Sequence, residues 1–320
     1  MTLGTDAVIA GVDLGGTKIQ VAVSHRGEVS GTAKTPTPDS GAHEVTQAIR
    51  RAVFDALTDA GSSLDALAGV GVGAPGRIEG DVVSHSPNIP GLGEPYPLGR
   101  QLSELLGGVA VTLENDVTAA TLGELNRGAG RPFRHVLGVF VGTGVGGGIA
   151  FDRSIVRGRG AAGEIGHVIV KPEGRRCGCG GRGHLEAYAG KAGIERHAQK
   201  QVDGGASTVL LDLMRERGRE HLTSGMIARA LARGDELTKS LVDDAVWALG
   251  VGLASVQNLL DVDAIVLGGG LADRLGEPFR ARISDAMEPL LFVRQRPPAL
   301  VASELGDLSG AIGAIVLASD

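Results

Sequence analysis

The sequence predicts an α/β protein of two domains. Strand-like apolar runs alternate with helix-like stretches along the whole chain, which is the pattern of α/β architecture. Glycine supplies 52 of the 320 residues, in short clusters between the apolar runs. Such clusters predict tight turns with positive φ rather than disorder. A chain of 320 residues is long enough for two cores.

The elements follow in order. Residues 8–12 form an apolar run of strand length, and 19–23 read as the hairpin partner across the turn 13–18. Val45, Ile49, Val53 and Leu57 recur at helical spacing over 42–60. Residues 70–73 predict a strand that ends at Ala74-Pro75-Gly76, and 109–113 predict another. Asn115-Asp116 then opens a helix reaching Leu125. Leu237, Leu241, Ala245, Leu249 and Leu253 make one stripe of a helix over 235–260. A strand over 262–267 closes on Gly268-Gly269-Gly270, and 309–318 predict a last helix. A second set of strands begins at 131–160, which places a domain boundary near residue 114.

Composition excludes several classes. Lys and Arg total 31 against 37 acidic residues, a net charge of −6, which argues against a nucleic-acid or anionic-membrane binder. One Trp, two Tyr and six Phe leave little for a base-stacking surface. The two cysteines are separated by one residue, so a bridge between them would be strained, and a reducing cytoplasm is expected. The first residues lack the basic and apolar regions of a leader, and no apolar run has membrane-spanning length.

Three glycine-rich or metal-type segments carry chemistry. Asp13-Leu14-Gly15-Gly16-Thr17 suits a phosphate turn, in which backbone N–H groups and a hydroxyl reach phosphate oxygens. Asp13, at a strand end, could hold the water shell of Mg²⁺. The order Thr17-Lys18, followed by a strand, is not that of a Walker loop. Gly142-Thr143-Gly144-Val145-Gly146-Gly147 matches G-x-G-x-x-G. Because Gly148-Ile149-Ala150-Phe151 continues as a strand, no helix N-terminus is available for a pyrophosphate, and a hairpin phosphate turn fits better. Residues 161–186 hold both cysteines, His167 and His184, and three glutamates, Glu164 and Glu186 among them, enough for a tetrahedral zinc site and for carboxylates that accept hydrogen bonds from a polyol.

Together these motifs resemble the ROK family of bacterial sugar kinases and sugar-responsive repressors, from residue 8 to about 315. Residues 13–18 resemble its first phosphate motif and Glu114-Asn115-Asp116 its sugar and catalytic motif. Residues 142–148 resemble its second phosphate turn. Glu164-Ile165-Gly166-His167 and residues 177–186 resemble its zinc and sugar segment. Gly268, Gly269 and Gly270 resemble its adenosine-side glycines. Gly73 and Asn88 lie in turns similar to those of the glucokinase-like members.

The resemblance implies the two-domain actin-like/hexokinase (ribonuclease H-like) ATPase fold with an interdomain cleft. It implies a small domain of 1–114 plus 302–320 and a large domain of 115–301. Asp13, Gly15, Gly16, Thr17, Lys18, Gly142, Thr143 and Gly144 would face ATP and Mg²⁺. Gly73, Asn88, Asn115, Asp116, Glu164, His167 and Glu186 would face the sugar, with Asp116 as general base at a helix N-terminus whose dipole favours its charge. His184 stands where the family usually has a third cysteine, so the structural zinc set becomes His167, Cys177, Cys179 and His184. Taken alone, Asp116 also reads as a helix cap, Asn115 and Asn88 as turn residues, and Lys18 as a solvated lysine. Arg175 and Arg176 read as surface charge.

The expected activity is ATP-dependent phosphorylation of a hexose 6-hydroxyl, glucose first, in a cytoplasmic homo-oligomer (dimer or tetramer). N-acetylglucosamine, N-acetylmannosamine, fructose or mannose are alternative substrates. A sugar-responsive regulator would need a DNA-binding module, for which the twelve residues before Asp13 leave no room.

Overall fold

The computed structural model describes residues 6–86 and 89–319, so Asn88 lies outside the described residues. The chain forms β1 (Val8–Leu14), β2 (Lys18–His25), β3 (Glu28–Pro36), α1 (Ala42–Asp59), β4 (Leu67–Ala74), β5 (Arg77–Glu79), β6 (Val82–Ser84), α2 (Leu98–Leu105), β7 (Val111–Asn115) and α3 (Asp116–Arg127). There follow β8 (Val136–Val141), β9 (Val145–Phe151), β10 (Ser154–Ile155), α4 (Glu186–Ala189), α5 (Lys191–Asp203), α6 (Val209–Glu216) and α7 (Ser224–Ala232). The last elements are α8 (Glu236–Leu260), β11 (Ala264–Gly268), α9 (Gly270–Met287), β12 (Ala299–Ala302) and α10 (Ser309–Ser319). One five-stranded sheet runs β3-β2-β1-β4-β7 and another β10-β9-β8-β11-β12. The chain divides into two compact units, Met1–Gly138 with Gly148–Gly163 and Glu304–Asp320, and Val139–Gly147 with Glu164–Ser303.

In the first unit the alternation of side chains along a strand decides which helix covers which face. Val8, Ala10, Val12 and Leu14 of β1, with Val70, Val72 and Ala74 of β4, join the core that contains Val45, Ile49 and Val53 of α1. The intervening residues face the other way, where Ile9 and Ala22 pack with Ala311 and Ile315 of α10. On that face the strands carry glycine. A methyl group at Gly11 would overlap the carbonyl oxygen of Ala311, and one at Gly71 that of Ala314. A methyl at Gly313 of α10 would overlap the carbonyl oxygen of Ala119 in α3. The central residues of α10, from Ser309 to Ile315, are accordingly buried.

Some glycines occupy positive-φ turns as expected, Gly76 among them, while Gly11, Gly71 and Gly73 stand in the strands expected over 8–12 and 70–73, where their missing side chains admit helices. The expected boundary at 114 differs from the observed division, because α3 packs on α10 and β4 and so belongs to the first unit. β7 ends at Asn115 rather than 113, since its parallel pairing with β4 continues to Ala74↔Asn115. The expected helices at 42–60, 235–260 and 309–318 and the strands near 8, 19, 70 and 262 are all present.

Glu124 of α3 is fully buried, yet every oxygen is used. Its carboxylate accepts from the backbone N–H groups of Ala129 (3.0 Å), Glu304 (3.1 Å) and Leu305 (3.0 Å) and from the Ser309 hydroxyl (2.9 Å). It thereby holds the segment leading into α10 against α3. Glu124→Gln puts an amide N–H₂ opposite donors, and we expect a loss of about 2–3 kcal/mol. A lower midpoint in thermal or denaturant unfolding checks this.

Candidate active site

Parallel strands place the first group of residues. The register Asp13↔Gly73 on β1–β4 and Gly73↔Glu114 on β4–β7 sets these positions side by side at the C-terminal ends of three strands. That edge is where open α/β sheets bind ligands. Asn115 caps α3, its Oδ1 accepting from Val117 N (3.0 Å) and Thr118 N (3.1 Å), and Asp116 begins the helix. A Cβ on Gly73 would stand 3.3 Å from the Asp116 Cα, so only glycine leaves that side of Asp116 open.

Asp13 follows the α10-facing alternation of β1, and a Cβ on Gly310 would meet its carboxyl group. Burial, then the charge of Asp116, push the Asp13 carboxyl up from 3.8 to about 7, with Lys18 acting in the opposite sense. The turn after Asp13 is closed by Gly15 N donating to Lys18 O (2.9 Å) and by the Thr37 hydroxyl donating to Gly15 O (2.6 Å). Gly16 and Thr17 are exposed at its tip. Lys18 is not a free lysine: its Nζ lies 2.9 Å from Asp307, whose carboxyl that contact holds below its usual range.

Glu114, part of the expected Glu114-Asn115-Asp116 motif, has a partner that was not anticipated from the sequence, Arg157. Glu114 is buried, with one oxygen accepting from Asn115 N (3.0 Å) and the other from Arg157 Nε (2.6 Å). Glu114 and Arg157 therefore position the Asn115-Asp116 pair. The signal available was an acidic residue ending an apolar strand; its partner, 43 residues away, had none.

In the second unit the turn Gly142-Thr143-Gly144 joins β8 to β9, as a hairpin and not as a strand–helix turn. The carbonyls of Gly142 and Thr143 accept from the first amides of α5, Lys191 N (3.1 Å) and Ala192 N (3.0 Å). Glu186 Oε2 accepts from Val145 N (3.1 Å), and a side chain at Gly144 would strike that carboxylate. Gly268, Gly269 and Gly270 stand where β11 passes into α9; Gly269 has φ 88° and abuts the Val141 backbone at the end of β8. Glu164 and His167 flank a short 3₁₀ turn, His167 Nε2 lying 3.8 Å from Glu164.

His167, Cys177, Cys179 and His184 offer donor atoms that all lie within 4.8 Å of one another. Cys179 Sγ is 3.3 Å from His184 Nδ1, and the rings of His167 and His184 meet edge to face. Burial pushes the Cys177 thiol up to about 12, helped by the nearby Glu186, whose Oε1 accepts from Cys177 Sγ at 3.3 Å. Two thiols and two imidazoles in this arrangement suit a divalent metal that displaces the thiol protons. Among the described residues no helix is long and apolar enough to cross a membrane.

The chain is similar to known proteins over nearly its full length. The ROK family model matches residues 9–320. A glucokinase from Streptomyces coelicolor is 34% identical over 320 residues, covering 97% of each chain. One from Halalkalibacterium halodurans is 35% identical, covering 97% of this chain and 94% of the relative. A solved ROK family glucokinase from Streptomyces griseus, in complex with glucose and AMPPNP, aligns with a TM-score of 0.82 and 32% identity, covering 98% of this chain and 99% of that one.

The raised carboxyl of Asp13 has a pH signature in the ligand-free, Mg²⁺-free protein. The fold disfavours its charged form, so its cost is absent below 3.8 and grows as pH rises toward about 7. Asp13→Asn is therefore expected to raise the melting temperature more at pH 8 than at pH 5. Equal shifts at both values would refute the assignment.

Proposed function

We propose that this chain, which belongs to the ROK family, is an ATP-dependent glucokinase that converts glucose to glucose 6-phosphate. It is a sugar kinase by its full-length likeness to glucokinases. The observation that carries the catalytic assignment is the setting of Asp116: it starts α3, stands against Gly73, and bears electrostatically on Asp13.

Phosphoryl transfer asks mainly for positioning and for stabilisation of spread negative charge. Asp116 is the general base that takes the proton of the 6-hydroxyl as that oxygen attacks the γ-phosphorus. Asn115 orients the sugar, and the Glu114–Arg157 pair fixes Asn115 in turn. Asn88, outside the described residues, is a further sugar contact by resemblance. Glu164, His167 and Glu186 are the remaining sugar contacts, since carboxylates and an imidazole suit a ring of hydroxyls.

In the turns Gly15-Gly16-Thr17 and Gly142-Thr143-Gly144, where the N–H groups of Gly15 and Gly142 close the turn itself, the other backbone N–H groups would hold phosphate oxygens, and Gly268, Gly269 and Gly270 leave room for the nucleoside. Mg²⁺, with Asp13 as the carboxylate that would hold it, would supply charge neutralisation at the phosphates. The Asp13–Asp116 repulsion favours such a cation.

The metal of the Cys/His cluster is zinc in this reading, and its role is structural. His167, Cys177, Cys179 and His184 would hold it, and four protein donors would leave no position for a reacting water. His184 serves where the family usually carries cysteine. The protein works in the cytoplasm as a homo-oligomer, a reading supported by the family alone.

A coupled ADP-release assay with ATP and Mg²⁺ across glucose, mannose, fructose, N-acetylglucosamine and N-acetylmannosamine tests the function. Glucose is expected to give the highest kcat/KM, and Asp116→Asn to lower kcat by about 10²–10⁴-fold. A preference for another sugar would overturn the substrate, and an active Asp116→Asn variant the mechanism.

Cys177→Ser is expected to lose bound zinc by elemental analysis and to raise the KM for sugar through a loosened 164–186 segment. Wild-type metal content and kinetics would remove the zinc assignment.

A further inference from the structure

The second unit contains a cavity of about 720 Å³ behind the Cys177 segment, against α5. Arg175, Arg176, Arg182, Arg196 and Lys200 line it, opposed within the lining by the single acid Glu173. The cations come from two stretches of chain, the segment 175–182 and one face of α5, so the fold and not a local run gathers them.

Arg176, Arg182, Arg196 and Lys200 are exposed. Among the described residues, none of the four has a carboxylate within ion-pair distance. The Arg196 guanidinium lies over Gly178, where a Cβ would stand 3.9 Å from both of its terminal nitrogens. Arg175 corrects the expectation of a solvated side chain. Only 14% exposed, it pairs with Asp244, stacks over Tyr188 at 4.7 Å, and keeps a buried Nη1 without a hydrogen-bond partner. His197, also in the lining, is held below its usual range first by burial and then by the charge of Arg175.

A concave wall with five cations against one acid focuses positive potential on its interior. Guanidinium forks match the paired oxygens of a phosphate and bind a dianion better than a single carboxylate. The volume suits a molecule of sugar-phosphate size. None of the five cations belongs to the residues assigned to catalysis, sugar or metal.

We propose that this cavity is a binding site for a small phosphate-bearing anion, separate from the phosphate turns of the kinase reaction. It does not depend on the substrate assignment. A bound anion would rest against the chain that carries Cys177.

The test is calorimetric titration of the full chain at low ionic strength with inorganic pyrophosphate and, separately, with glucose 6-phosphate. These probes are compared between the wild type and an Arg196→Gln/Lys200→Gln double variant. Both substituted side chains are exposed, so an unchanged melting temperature is expected. The double variant should bind the better probe at least about tenfold more weakly, since two charge-assisted contacts are lost, while its rate of ADP release without added anion stays as in the wild type. A stronger response to glucose 6-phosphate identifies a sugar ester as the ligand, and an equal or stronger response to pyrophosphate identifies free phosphate chemistry. Should the double variant fold poorly, Arg176→Gln alone, on the other stretch of chain, is expected to weaken binding in the same direction. No measurable binding to the wild type, or equal affinity in wild type and variants, overturns the site.

Discussion

The close seat of α10 on the first sheet is the constraint from which the first half of the site follows. The helix can approach β1 and β4 only because Gly11 and Gly71 offer no side chain on that face, and it can cross α3 only because Gly313 offers none either. Close approach trades side-chain volume for backbone contact, and any added methyl would push the helix away. Asp13 lies on the same face of β1 and is pressed toward Gly310 as a result. Its awkward ionisation is thus a consequence of packing, before any chemistry is considered. Glu124 holds the same arrangement at the N-terminal end of α10 by engaging Ser309 and the chain just before it.

In the second unit one carboxylate does the joining. Glu186 accepts from Val145 N beside the glycine turn and from the Cys177 thiol at the metal donors. The turn at 142–144 is therefore not a free loop; the first amides of α5 and the Glu186 side chain both hold it. A short glycine turn gains definite backbone directions only when its carbonyls are engaged elsewhere, leaving its N–H groups for a ligand. The metal donors and the phosphate-type turn then share a single support, which is why a sequence segment can serve both without carrying two separate scaffolds.

Much of this was legible. Apolar periodicity made α1 and α8 visible, and short valine-rich runs marked β1, β4 and β11. The spacing of two cysteines and two histidines announced a donor cluster, which the structure gathers. Edge strand β3 left little trace, because its solvent-facing residues (Glu28, Ser30, Thr32 and Lys34 among them) have no apolar alternation to show. The partnerships of Glu114 with Arg157 and of Arg175 with Asp244 also escaped, since ion pairs formed across 43 and 69 residues have no local pattern.

What the chain's residues decide alone is therefore local and chemical: which stretches can be strands or helices, which turns can face phosphate, which side chains can hold a metal, and that the net charge is acidic. Glycine shows the limit. A turn glycine at Gly76 and a strand glycine at Gly71 are both legible, but which strand glycine must stay bare to admit a helix is a distinction that no local pattern shows. That distinction, like the burial of Glu124 and the gathering of five cations around one cavity, depends on which distant backbone arrives at each position. Only the tertiary structure supplies it, because burial, desolvation and charge pairing are properties of neighbours in space, while periodicity and turn chemistry are properties of neighbours in the chain.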